Sequence, residues 1–289
     1  MNAKLSFGQR FRVLLVLGRV SNLPTVWSNC VAAWCLGGGG LSERFPLLCV
    51  GATLLYTGGM FLNDAFDVEF DHQYRAERPI ISGEISGKAV WLIAATLLLL
   101  GWLALVPLGN RSFEFGTALL AMIVIYDAVH KRTSLAPLLM AACRFLLYLV
   151  AASAANGEVR PTVIERALAL AAYIVGLSYL ARNESTSGVT SRWSLPLLFA
   201  PILIAITRNS SNGMILWVAA VAQAAWVLWC LIGRAVPGRC YFSKGVAGLL
   251  AGIALVDWLA AVGAAEQLGA VFIGLFLLAL LSQRFAPAT

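Results

Sequence analysis

The feature that most constrains this chain is a succession of apolar runs, each close to the length a lipid bilayer demands of a helix. Ten of them fall at approximately residues 22–39, 46–64, 89–108, 113–129, 135–155, 164–181, 194–208, 213–233, 246–264 and 267–283. A hydrocarbon core about 30 Å thick takes roughly 17–25 apolar residues in helical form. Backbone polar groups in lipid must be satisfied internally, and runs this long achieve that as helices. The seventh run is short enough to be re-entrant or tilted, so the sequence predicts nine or ten spans. Composition agrees, with 60% of the 289 residues hydrophobic and 12% charged, about half the charged share of soluble domains. The expectation is an all-α, polytopic transmembrane bundle forming one unit over residues 1–289. No linker separates soluble domains, and no internal repeat is evident.

Basic residues orient the bundle. With ten spans, one side receives Lys4, Arg10, Arg12, Arg19, Arg75, Arg78, Lys88, Lys131, Arg132, Arg182, Arg192, Arg234, Arg239, Lys244 and Arg284. The opposite side receives Arg44, Arg111, Arg160, Arg166 and Arg208, and Arg144 falls inside a helix. The richer side is predicted to be cytoplasmic, with both termini there and the protein in the cell (inner) membrane. The net charge of +7 then reflects topology and anionic headgroups, not nucleic acid. No cleavable leader is expected, because the basic N-terminus runs into a retained helix. The six cysteines form no CxxC pair and read as small core residues. With His72 and His130 as the two histidines, a zinc ligand set is not expected.

The longest predicted cytoplasmic loops, 65–88, 182–193 and 234–245, mark that face as the place for chemistry. The second run ends in Asn63-Asp64-Ala65-Phe66-Asp67-Val68-Glu69-Phe70-Asp71. At 100° per residue, Asn63, Asp67 and Asp71 stay on one helical face with Asp64 beside them, while Glu69 points away. Like charges at this spacing oppose helix formation, and the rim of an apolar helix adds a desolvation cost. A hard cation offsets both, and Mg2+ suits one or two carboxylates completed by waters and phosphate oxygens. A merely solvated acidic helix end is the plainer reading of any acidic run. Here Arg75 and Arg78 follow, then Pro79 and Ser82-Gly83, placing phosphate-binding bases one loop from the acids. Acids for a metal, bases for a phosphate and an apolar surround point to a lipid diphosphate.

These residues resemble a known family. The stretch from Asn63 to Ser86 is similar to the NDxxDxxxD motif and the following RxxRPxxSG loop of the UbiA superfamily of intramembrane prenyltransferases. Arg19 to Trp27 (RVSNLPTVW) resembles that family's opening segment. Tyr126 to Arg132 (YDAVHKR) resembles its YxxxKR segment, with one extra residue before the lysine. The resemblance implies a UbiA-like bundle with a cytoplasm-facing central cavity, and transfer of a prenyl group from a polyprenyl diphosphate to a small acceptor. It implies Mg2+ held by Asn63, Asp64, Asp67 and Asp71, and a diphosphate clamped by Arg75, Arg78, Lys131, Arg132 and Arg182. One departure stands out. The family commonly carries a second motif, DxxxD, where this chain reads Tyr179-Leu180-Ala181-Arg182-Asn183-Glu184-Ser185. Glu184 is the one acid there, so either a second Mg2+ is held weakly or Arg182 takes over part of its charge.

Several polar residues lie in or beside the apolar runs. Arg144 falls roughly 12 Å below the start of the fifth run at 1.5 Å per residue, a costly position that calls for a partner or a cavity role. It is counted with the catalytic residues, gripping a phosphate or an acceptor carboxylate; pairing with a structural acid is the alternative. Asp257 in the ninth run suits either a proton shuttle or a structural hydrogen bond. Asn22 and Asn29 are candidates to line the cavity with Asp127 and Glu184, although Asn22 before Pro24 also suits a helix cap. Trp27 is either a cavity wall or an interfacial anchor. Asp127 lies four residues before Lys131, so a surface ion pair is its plainer reading. Two other functions stay open: phosphoribosyl transfer onto a polyprenyl phosphate, and transport or lipid binding without chemistry. Paired broken helices and duplicated halves, which would favour transport, are not apparent.

Overall fold

The computed structural model describes residues 6–186, 192–208, 213–232 and 242–286. Among these, every regular element is helical. Helix α1 (Phe7–Leu17) starts at a capping box in which Ser6 and Gln9 satisfy one another's backbone N–H groups, removing two of the four donors a helix start leaves open. Arg19 then turns the chain at φ +42° into α2 (Leu23–Leu36), which opens with Pro24 in its first turn. The fixed φ and missing N–H of proline cost nothing there. Helix α3 (Arg44–Phe66) is followed by α4 (Val68–Tyr74), α5 (Gly87–Leu103), α6 (Asn110–Val129), α7 (Ala136–Asn156) and α8 (Pro161–Thr186). The remainder comprises α9 (Ala200–Arg208), α10 (Met214–Ile232), α11 (Phe242–Ala251), α12 (Ile253–Ala261) and α13 (Gly269–Ser282).

Among the described residues, six segments are long and apolar enough to cross a membrane: Arg44–Phe66, Gly87–Leu108, Asn110–Val129, Ala136–Asn156, Pro161–Arg182 and Met214–Ile232. The protein is therefore a multi-pass membrane protein. The other predicted runs also form helices, but shorter ones. The first ends at Leu36, where the Gly37–Gly40 stretch leaves the helix with Gly38 at φ +82°. The seventh is a 3-10 segment (Arg192–Phe199) containing Pro196, followed by α9. The ninth, predicted as one helix, breaks at Gly252 into α11 and α12. A Cβ at Gly252 would lie 2.9 Å from both the Tyr173 hydroxyl and a Trp226 ring carbon, so the break lies where neighbouring helices pack too closely for any side chain but glycine.

Sequential helices pair as α3 with α5, α6 with α7 and α7 with α8. Helix α2 lies at the centre, against α3, α7, α12 and α13. It brings the chain's two ends together, and its small residues, Ser28, Ala32 and Ala33 among them, are fully buried. Small residues at such crossings are how helices approach closely where lipid supplies no hydrophobic drive.

Candidate active site

Two polar clusters occupy the bundle, one at the end where α3 and α6 finish and one deeper between α2, α7 and α12. The first follows from a run of backbone bonds. Asp67 N–H donates to the Asn63 carbonyl at 3.0 Å, and Asp71 N–H to the Asp67 carbonyl at 2.8 Å. The i to i−4 ladder thus continues through the junction at Asp67 between α3 and α4, stacking Asn63, Asp67 and Asp71 on one face. All three and Asp64 are between 3 and 5% exposed. Glu69 lies exposed on the opposite face.

Cations from three other segments close on these acids. Arg19 Nη2 lies 3.2 Å from Asn63 Oδ1 and 3.5 Å from Asp64 Oδ1. Arg78 Nη1 reaches the same Asp64 oxygen at 3.3 Å. From the end of α6, Lys131 Nζ lies 3.1 Å from Asp67 Oδ2 and His130 Nε2 lies 3.2 Å from Asp67 Oδ1. Lys131 also sits over the Phe70 ring, 4.1 Å from its centroid. Asn63 Nδ2 donates to Asp127 Oδ1 at 3.1 Å. Asp127 is thereby drawn inward to 2% exposure, and Lys131 pairs with Asp67 rather than with Asp127 as the i,i+4 spacing alone implied.

Burial pushes the carboxyls of Asp67 and Asp71 up. At Asp67 the His130 ring and the Lys131 ammonium outweigh it and hold the group below the usual carboxylate range. At Asp71 burial prevails over the more distant Arg78 and Arg75, leaving that carboxyl above it. Leu17, Val68, Pro79, Ile80 and Ile81 wall a recess beside Asp64, Asp71 and Arg78.

The donor set suits a hard cation. Asp64 Oδ2, Asp71 Oδ1 and Asp127 Oδ2 are buried without a hydrogen-bond partner, and unpaired buried oxygens are costly unless something positive meets them. Among the described residues no three side chains form a ready metal cluster.

The deeper cluster holds Arg144, Asn29 and Asp257. Arg144 Nη1 donates to Asn29 Oδ1 at 2.6 Å and to the Thr25 carbonyl at 3.2 Å, and Nη2 to Thr25 Oγ1 at 3.1 Å. Asn29 Nδ2 donates onward to Asp257 Oδ2 at 2.7 Å, and Asp257 also accepts from the Ser28 and Tyr148 hydroxyls. Asn29 therefore links a buried arginine to a buried aspartate.

The other predicted residues are dispersed. Arg75 acts on Asp71 through space, and Arg132 is exposed on the turn after α6. Arg182 Nη1 donates to the Thr133 carbonyl at 2.8 Å, tying α8 to that turn. The Glu184 side chain lies outside the described residues. Asn22 is buried at the start of α2, but its side chain does not cap the helix; its carbonyl accepts from Thr25 Oγ1. Trp27 Nε1 donates to Thr53 Oγ1 at 2.9 Å, which fastens α2 to α3. Arg19 and His130 were not among the predicted site residues. Each lay in a recognised segment, RVSNLPTVW and YDAVHKR, and the extra residue in the latter was the available signal for the histidine.

Comparison with known proteins gives a consistent result. The family model described as the UbiA prenyltransferase family matches residues 21–259. The 4-hydroxybenzoate octaprenyltransferase of Polynucleobacter asymbioticus is 30% identical over 129 residues, covering 42% of this chain and 45% of that protein. The digeranylgeranylglyceryl phosphate synthase of Sulfolobus acidocaldarius is 34% identical over 82 residues, 28% of each chain. The chain thus spans less than half the length of these curated relatives. A solved digeranylgeranylglyceryl phosphate synthase structure superposes with a TM-score of 0.63 at 17% identity, over 88% of this chain and 98% of that one. A UbiA homologue from Archaeoglobus fulgidus, bound to GPP and Mg2+, superposes with a TM-score of 0.58 at 14% identity, over 87% and 99%. At these identities the structural likeness establishes the fold.

Proposed function

Since the chain belongs to the UbiA prenyltransferase family, we propose that it transfers a prenyl group from a polyprenyl diphosphate to a small acceptor within the membrane, with Mg2+ as cofactor. The observation that carries this reading is the buried rim cluster. Asp64, Asp67, Asp71 and Asp127 gather there with Arg19, Arg78 and Lys131, and one buried oxygen of each carboxyl has no hydrogen-bond partner. In this reading the shorter apolar helices complete nine or ten spans, the unit extends over residues 1–289, and the cluster faces the cytoplasm at the inner membrane.

Asn63, Asp64, Asp67 and Asp71 would hold the cation, which when bound supplies positive charge to a leaving diphosphate. Arg75, Arg78 and Lys131 grip the diphosphate oxygens, and Arg132 and Arg182 flank them from the α6–α7 turn and α8. Preorganised donors of this kind stabilise the charge that develops as the allylic C–O bond breaks. The acceptor attacks that allylic carbon, a new bond to carbon forms, the diphosphate departs and one proton leaves the acceptor. Apolar helix faces around the site exclude water from the allylic centre. Arg144, counted with the catalytic residues, orients the acceptor from the α2–α7 side.

The test is diphosphate release by purified protein in detergent, supplied with geranylgeranyl diphosphate and a pool of small acceptors, with and without Mg2+. Release that requires both Mg2+ and acceptor, and that drops at least 100-fold in Asp67→Ala, is the expected result. A folded preparation that consumes no prenyl diphosphate overturns the proposal. Conversion of a sugar diphosphate together with a polyprenyl phosphate would replace it with phosphoribosyl transfer.

A further inference from the structure

Helix α1 carries an apolar face that the bundle does not cover. Its buried residues are Val13 and Leu17, and Leu17 walls the recess beside Asp64 and Asp71. Phe7, Phe11 and Leu14 are instead 86, 55 and 38% exposed. At 100° per residue these three fall within about 60° of one another, about a quarter turn from the buried edge. Gln9 and Arg12 take the far side of the helix, and Arg10 borders the apolar strip. We propose that this face is a docking surface for anionic phospholipid. Helix α1 lies in the headgroup layer, with its aromatic strip in the acyl boundary and Arg10 and Arg12 on lipid phosphates.

Depth and length both place α1 at the membrane surface. Arg19, just past the end of α1, reaches Asn63 and Asp64 where α3 ends, so α1 is held at the level of the rim. Its 11 residues rise about 16 Å, half the thickness of a hydrocarbon core, so α1 does not cross. A helix this short is marginal in water and depends on burying a face. The edge formed by Val13 and Leu17 is a narrow one, and a helix projecting into water would leave both phenylalanines bare.

Charge selects the kind of lipid. Lys4, Arg10, Arg12 and Arg19 all precede the first acid of the chain, Glu43. Among the described residues neither Arg10 nor Arg12 forms an ion pair, and both are exposed. Their guanidinium groups are therefore open to phosphate, while the long apolar stems lie along the strip. Aromatic and leucine side chains on one face with arginines around it form the pattern of helices that lie in the interface plane. The inference needs the membrane alone and not the prenyl reaction.

The experiment follows hydrogen–deuterium exchange over residues 7–17 by mass spectrometry, on the purified full chain in lipid nanodiscs. One set of discs is phosphatidylcholine, and the other contains about one-third phosphatidylglycerol. Two surface arginines favour an anionic over a neutral surface by about tenfold or more, so exchange should slow about tenfold in the anionic discs. Arg10→Gln with Arg12→Gln should abolish that difference, and Phe7→Ser with Phe11→Ser should speed exchange in both discs. Equal exchange of the wild type in the two discs overturns the proposal. Protection that is just as strong in detergent would mean that another part of the chain covers the face. Protection that grows with the number of copies per disc would mean that a second copy does, and either result also overturns it. Should a variant fail to fold, the wild-type comparison between the two discs still decides.

Discussion

At the scale of the residue, Arg144 shows how far a position can be read before its partners are known. Its place inside an apolar run signalled a costly charge and left two readings, a cavity role or a structural partner. In the structure Arg144 donates three hydrogen bonds to Thr25 and Asn29, and Asn29 links it onward to Asp257. Removing one member of such a network strands the others in a dry interior, at a cost of about 3–5 kcal/mol, whereas removing both charges together costs less than the sum. Asp257→Ala is therefore expected to lower thermal stability in detergent sharply. Arg144→Leu with Asp257→Leu should recover part of that loss in a double-mutant cycle; additive losses would mean that the two residues are not coupled. Arg19 yields a second prediction. It reaches Asn63 and Asp64 from outside their helix, so Arg19→Ala should lower kcat/KM for the prenyl diphosphate about tenfold with little change in unfolding temperature. Arg19→Lys, which keeps the charge but loses the fork, should restore only part of it. Unchanged kinetics in Arg19→Ala would remove Arg19 from the site.

Among the elements, α3 carries acids of the site and also a close crossing with α5. A Cβ on Gly58 would sit 2.9 Å from the backbone nitrogen of Leu98 in α5, a contact that no side-chain movement relieves. Gly58→Ala should therefore force α3 and α5 apart and cost about 1–3 kcal/mol, the usual scale of overpacking, measured as a drop in unfolding temperature. Gly274→Ala in α13, where nothing lies within 4 Å, is the control and should be neutral or slightly stabilising. The acidic face of α3 and α4 was legible from spacing alone, because a helical period of 3.6 residues stacks Asn63, Asp67 and Asp71 wherever the helix lies. The break between α11 and α12 was not. It falls within one apolar run at Gly252, where Tyr173 and Trp226, residues remote in sequence, leave no room for a Cβ.

For the whole molecule, charge balance at the rim sets how ligands bind. The carboxyl groups of Asp64, Asp67, Asp71 and Asp127 lie against Arg19, Arg78 and Lys131, with His130 beside Asp67, so much of the charge is compensated within the site. A diphosphate alone adds uncompensated negative charge, and a divalent cation alone adds positive charge beside arginines. Each therefore favours the other, and by linkage the effect is reciprocal. Mg2+ should tighten binding of geranylgeranyl diphosphate about 10-fold or more, with the same factor for Mg2+ in the presence of the lipid, as measured by paired titrations. Chelation should return the unfolding temperature of the lipid-loaded protein toward that of the free one. Independent binding of the two would contradict the shared site.

What the sequence by itself determined is what depends on local chemistry and solvent. Run length and composition require helices in lipid, residue spacing sets which acids share a face, and the Asn63 to Ser86 pattern points to the family. What only the tertiary structure decided is which remote groups meet them. Arg19 from before α2 and His130 from the end of α6 reach the acids of α3 because those helices cross there. Asp127 turns inward because Asn63 binds it, and Asp257 meets Arg144 through Asn29 because α2 runs between α7 and α12. Such contacts depend on the packing of helices distant in sequence, and no periodicity within a single helix encodes them.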